Sequence, residues 1–184
     1  MRKETFSACL LGCALMLATG VGCGGDGTTA VGGAGEIYRA AHAGDDAGIR
    51  AAVAAGTPVD QTGRAGRTGL FIAVYNKNVR TAETLLELGA NPGVPDKNGK
   101  TALMYAASRR YNDLLKQMID KRPNLDQQDN GGYTAAHHAA NMGNKVGYDM
   151  LKAAGADVTL MDAKGRTAAD LIAIKQTPTD LGDM

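Results

Sequence analysis

Tryptophan is absent from this chain, and only six tyrosines and two phenylalanines stand in for it. That scarcity excludes a large core filled by aromatic rings. Alanine and glycine abound instead, which suits thin helices packed closely together. Cysteine is confined to Cys9, Cys13 and Cys23. Everything after Cys23 is therefore free of disulfides and of cysteine-ligated metal. A surplus of one charge is also lacking: 20 basic residues face 19 acidic ones, and setting aside Arg2, Lys3 and Glu4 makes the balance even. Such neutrality excludes bulk electrostatic binding to nucleic acid or to an acidic membrane. The 184 residues amount to one domain.

A long apolar run is missing too. Phe6 to Val21 is mostly apolar but punctuated by small residues, short of a ~20-residue transmembrane helix. It follows the basic start Met1-Arg2-Lys3 and precedes Gly22-Cys23-Gly24-Gly25. A basic start, an apolar stretch and a small residue before the cut describe a secretory signal. With cysteine directly after the small residue, the segment resembles a bacterial lipoprotein signal. The resemblance implies cleavage before Cys23 and acyl chains on it. That family prefers Leu three residues before the cysteine, where this chain has Gly20. Leu10-Leu11-Gly12-Cys13 fits better there, but a cut before Cys13 would leave ALMLA exposed, so Cys23 is the expected site. Plain secretory cleavage and an uncleaved anchor stay open as alternatives. Gly24 rather than Asp follows Cys23, which favours the outer membrane of a Gram-negative envelope, facing the periplasm or the exterior. Residues 1–22 are thus expected to be a signal peptide, and 23–35 a lipidated cysteine with a glycine-rich tether. The string Gly20 to Gly25 also matches G-x-G-x-x-G, but no strand precedes it and no helix follows, so it is not a dinucleotide site.

Beyond the tether the chain repeats. Thr68, Thr101, Thr134 and Thr167 are 33 residues apart. They open RTGLFIAV, KTALMYAA, YTAAHHAA and RTAADLIA, counted from the preceding residue. Gly56, Gly89, Arg122 and Gly155 form a second series in step. A period held this long signals stacked structural repeats. Each Thr is placed to cap a helix, and each glycine to end one in the left-handed conformation. A left-handed arginine would be strained, so Arg122-Pro123 raises a different ending for that helix.

The period and the TAAHHA string at Thr134 to Ala139 resemble the ankyrin repeat, as do Leu70, Leu103 and the Ala156-Asp157 pair. The resemblance implies an all-α solenoid over residues 36–176, of stacked helix-turn-helix units with short hairpin fingers. It amounts to about four to five repeats including caps. Glu36 to Asp60 reads as the N-terminal cap. Helix pairs follow at Thr68–Val74 with Asn78–Leu88, Thr101–Arg109 with Asn112–Lys121, and Thr134–Met142 with Lys145–Ala154. Thr167–Lys175 closes the stack, with Asp170 and Lys175 supplying polar character. Residues 177–184 read as a frayed tail.

The same resemblance assigns partner-binding positions. In the fingers they fall on Arg64, Arg67, Lys97, Asn98, Lys100, Asn130, Tyr133, Lys164 and Arg166. On the ends of the first helices they fall on Tyr75, Asn76, Ser108, Arg109, Asn141 and Met142. Basic residues dominate the fingers, which points to an acidic protein surface as partner. Reversing Arg67, Lys100 and Arg166 is expected to weaken binding without unfolding the chain. His137 and His138 invite a metal or acid–base reading, but adjacent helical residues diverge by about 100° and cannot readily share a metal. In the family the first of them hydrogen-bonds neighbouring turns. His42 has no partner at i+4. Asp126 to Gly131 echoes a calcium loop but has His137 where the bidentate Glu belongs. No catalytic constellation, metal or cofactor is expected. The expectation is a monomeric, envelope-tethered protein-interaction module that touches membrane only through its lipid and does not bind nucleic acid. A structural spacer and an immunity or protector protein are the alternatives.

Overall fold

A computed structural model describes residues 35–176. The expected signal peptide, Cys23, nearly all of the tether, and the tail at 177–184 lie outside the described residues.

Each threonine of the 33-residue series sits at a helix N-cap. The Oγ1 atoms of Thr68, Thr101 and Thr134 accept from the backbone N–H of Phe71, Met104 and His137 at 3.2, 3.2 and 3.4 Å. Thr167 accepts from Asp170 at 3.1 Å. Each such bond satisfies a donor left free by the first helical turn. The helices they begin are α3 (Gly69–Tyr75), α5 (Ala102–Arg109), α7 (Ala135–Asn141) and α9 (Ala168–Gln176). α1 (Glu36–Ala43) opens the row without a threonine. The second helices are α2 (Asp46–Ala54), α4 (Val79–Glu87), α6 (Asn112–Asp120) and α8 (Lys145–Ala153).

The odd-numbered helices pack in one row, α1 on α3, α5, α7 and α9 in turn, and the even-numbered helices form a parallel second row. The core lies between the rows. Leu70, Leu85, Leu103, Leu114, Leu115, Met118 and Leu151 are fully buried there. Alanines 106, 107, 136, 139 and 140 are buried on α5 and α7, which pack against each other.

The second helices end as the glycine series predicts. Gly56, Gly89 and Gly155 have φ of 93°, 91° and 96°. Arg122 does the same, with φ of 53°, which corrects the expectation of a different ending there. A Cβ at the three glycines would meet nothing within 4 Å. Backbone strain alone, with no crowding, thus separates arginine from glycine at this position. Arg122→Gly is expected to raise stability by a few tenths to about 1 kcal/mol. A urea titration showing a loss would mean that Arg122 makes a compensating contact.

α9 departs from the polar cap expected. Asp170 and Lys175 are exposed, but so are Ala169, Ala173 and Ile174. The counterparts of Ala169 (Leu70, Leu103 and Ala136) and of Ala173 (Val74, Ala107 and Ala140) are buried.

Candidate partner groove

The fingers are built on carboxylates that the sequence reading passed over. Asp96, Asp129 and Asp162 recur every 33 residues and are buried. Each folds its own turn by accepting two backbone N–H bonds on Oδ1. Asp96 takes Asn98 and Lys100 at 2.8 and 2.9 Å. Asp129 takes Gly131 and Tyr133 at 2.9 and 3.0 Å. Asp162 takes Lys164 and Arg166 at 2.8 and 2.9 Å. Successive fingers are tied by backbone bonds, Lys97 N–H to Ala65 C=O, Asn130 to Asn98 and Ala163 to Gly131, at 2.9–3.0 Å. Gly132 permits that closeness: its φ is 77°, and a Cβ there would lie 2.8 Å from Ala163 N. The hairpins reduce to tight turns, with only isolated bridges at Thr62–Thr68 and Met161–Thr167 among the described residues.

The second carboxylate oxygens recruit two of the expected binding residues into the fold. Arg67 Nε approaches Asp96 Oδ2 at 3.4 Å, and its guanidinium lies over Phe71 and Tyr75 at 5.0 and 5.5 Å. Arg166 forks onto Asp162 Oδ2 at 2.7 and 2.9 Å and also donates to the Tyr133 hydroxyl at 2.8 Å. Hydrogen bonds from Arg166 hold the Asp162 carboxyl far below its usual range. Reversing Arg67 or Arg166 therefore removes contacts within the stack as well as surface charge. Lys97, Lys100, Lys164 and Arg64 are exposed and meet no carboxylate among the described residues.

A groove of about 680 Å³ opens between the third and fourth units. Fingers contribute Asn98, Lys100, Asn130 and Tyr133, and helix ends contribute Ser108, Arg109, Asn141 and Met142, all expected from sequence. Met104, Tyr105, Gly131, His138 and Asp129 complete it without having been singled out for binding. Tyr105 and His138 are counterparts of the buried Ile72. Tyr75 lies outside the groove, with its ring 5.2 Å from that of Tyr105. Asn76 reaches back to the His42 carbonyl at 3.5 Å.

Ser108, His138 and Asp129 share this groove, and His138 Nε2 lies 2.9 Å from Asp129 Oδ2. The Ser108 hydroxyl, however, donates to its own helix, to the Tyr105 carbonyl at 2.8 Å. The set lacks the nucleophile–base bond that acyl transfer requires. Among the described residues no group of three or more His, Cys, Asp and Glu could hold a metal ion.

Burial pushes the His138 ring below its ordinary 6.5, with Lys100 and His137 adding to the effect and Asp129 opposing it. The folded state thus prefers the neutral ring. This contribution to stability is complete above about pH 6.5 and is lost as pH falls below it. Wild type is expected to lose more stability than His138→Gln between about pH 7.5 and 5.5. Parallel urea curves for the two proteins at both pH values check it, and equal losses would overturn it.

Two rows of short helices joined by stacked turns define an α-helical solenoid. The model for ankyrin repeats (3 copies) matches residues 37–129 and again 70–162. The chain belongs to the ankyrin-repeat family. It is similar to mouse ankyrin repeat and SAM domain-containing protein 6, 31% identical over 61% of this chain and 13% of the relative. Chicken inversin is 32% identical over 56% of this chain and 10% of its own length. Human SH3 and multiple ankyrin repeat domains protein 2 is 28% identical over 68% of this chain and 7% of its own. The chain thus spans a small part of the curated relatives it matches.

Proposed function

We propose that this chain is an ankyrin-repeat interaction module, tethered to a Gram-negative outer membrane by acyl chains on Cys23, that grips an acidic protein. Membership of the ankyrin family supports a protein partner. The observation that carries the charge assignment is an asymmetry within the fingers. Their carboxylates Asp96, Asp129 and Asp162 are buried and committed to turns, while Lys97, Lys100 and Lys164 stand exposed. A chain neutral overall thereby presents a basic finger face. Of the exposed carboxylates, Asp113, Asp120 and Asp149 lie on the second helices, while Asp126 lies at the start of a finger stretch and Asp170 on α9. The tether rests on the Gly22-Cys23 junction alone.

The test is a pull-down from envelope extract with the full chain as bait, beside Lys97→Glu/Lys100→Glu/Lys164→Glu. A protein retained by wild type at low salt and lost from the variant supports the reading. Equal retention by both would remove the acidic partner, and retention by neither would favour a spacer. Wild type is expected in the membrane fraction and Cys23→Ser in the soluble one. Identical fractionation would remove the lipid tether.

A further inference from the structure

The turn that leaves one second helix is tied to the turn that leaves the next by a single side chain. Asp60, after α2, accepts the Asn91 N–H on Oδ1 at 2.9 Å. Asp126, after α6, accepts the Asp157 N–H on Oδ1 at 2.7 Å. The position midway between these two acids in the 33-residue register, after α4, is Gly93. The middle bond of the series is therefore not made, and the Asn124 N–H meets no acceptor among the described residues. A Cβ built on Gly93 would lie 3.8 Å from Asn124 N. A carboxylate one bond further on would reach it.

A cavity of about 310 Å³ opens at this junction, between Gly89–Gly93 and Lys121–Asn124. Its polar side chains are donors. Asn91 Oδ1 accepts the Gly93 N–H at 2.9 Å, and Asn124 Oδ1 accepts the Asp126 N–H at 3.0 Å. The amide NH2 groups of both meet no acceptor among the described residues. No carboxylate among the described residues lines the cavity, and Asp120 and Asp126, the nearest in sequence, lie outside its lining.

Two cations stand at this junction and at none of its counterparts. Lys121 and Arg122 line the cavity, where the other units have Ala55 and Gly56, Leu88 and Gly89, or Ala154 and Gly155. Both are exposed, and neither meets a carboxylate among the described residues. Arg122 keeps its left-handed φ of 53° although no side-chain bond among the described residues compensates the strain. Strain of that kind gathers where ligands are held. We propose that the cavity binds a small dicarboxylate. One carboxylate accepts the Asn124 N–H in place of the aspartate that this junction lacks, and the other is met by Lys121 and Arg122. Asp60 and Asp126 make the same bond with no cation at the matching positions, so the two added cations answer to a second negative charge. The site shares no residue with the partner groove, so either can fail without the other.

The test is a nuclear magnetic resonance titration of the isotope-labelled full chain with succinate at constant ionic strength. The Asn124 amide should shift saturably, while the Asp157 amide, already bonded to Asp126, should not move. Acetate should bind a few-fold more weakly, by roughly the worth of exposed ion pairs. Gly93→Asp should abolish the response by supplying the carboxylate from within the chain. Lys121→Gln/Arg122→Gly should weaken binding about tenfold. Glycine at that position is expected to stabilise the fold, so loss of binding there does not report unfolding. Circular dichroism checks that Gly93→Asp is folded, and if it is not, the double variant decides.

An unmoved Asn124 amide, a response kept by folded Gly93→Asp, or undiminished binding by the double variant would each overturn the site. Equal binding of acetate would remove the second carboxylate from the ligand. Tighter binding of inorganic phosphate than of succinate would overturn the carboxylate assignment.

Discussion

Replacing Leu115 with alanine is expected to cost about 2–5 kcal/mol, the loss typical of a large core side chain cut back to a methyl. Leu115 is fully buried on α6, which packs against α4 on one side and α8 on the other. The α8 backbone comes close: a Cβ added at Gly147 would lie 3.2 Å from Leu115 Cδ2. Truncation opens a void at that contact, and α8, held at its start by the Asn144 cap onto Gly147, has little freedom to close it. A solenoid's stability sums its unit and interface terms, and Leu115 stands in a central unit, so the loss is felt on both sides. Urea unfolding should show a lower midpoint. A cost below about 1 kcal/mol would mean that α6 and α8 collapse over the void.

His137→Leu should cost about 2–4 kcal/mol while nearly preserving volume, because it orphans buried polar groups on two units. The ring is fully buried. Its Nδ1 accepts from the Thr134 N–H at 3.2 Å, and its Nε2 donates to the Arg166 carbonyl at 3.2 Å. These two bonds fix one neutral tautomer and join the fourth unit to the turn that leads into α9. Leucine satisfies neither partner. The damage should concentrate at the end of the stack, where α9 packs chiefly on α7. Hydrogen exchange should accelerate over α9 and little over α3. Unchanged protection of α9 would show that the Arg166 bond does not hold the last unit in place.

The helices were legible because the same signals recur at one spacing. A threonine cap opens each first helix from α3 on, and a left-handed residue ends each second helix, so most bounds fell within a residue or two. The apolar positions between them were legible for the same reason. The groove was less so. Positions expected to vary between ankyrins include Lys100, Ser108, Arg109, Tyr133, Asn141 and Met142, and the structure brings these six together. Tyr105 and His138 escaped because their counterpart in α3 is the buried Ile72. The same register position faces the core in one unit and a groove in another.

Other omissions had a signal in the sequence. Asp96, Asp129 and Asp162 keep the 33-residue spacing, as do Gly44, Lys77, Arg110 and Gly143, all four left-handed. Aspartates in turn-rich sequence read as solvated, which concealed their role as acceptors for the turn's own N–H groups. Arg67 and Arg166 were expected to be free charges for a partner, since a sequence does not show which carboxylate an arginine will find.

The spacing has a consequence for how such a chain changes length. From Thr68 to Thr167 the register carries no insertion or deletion. Excising residues 101–133 would bring Arg67's unit directly before Thr134, joining like to like at both the cap and the finger. The product would be a shorter solenoid with every junction of a kind already present. Duplication of the same cassette would lengthen it equally smoothly. A lineage can thus alter the reach of this protein in whole steps, and each step creates or deletes one inter-unit groove together with whatever that groove recognises.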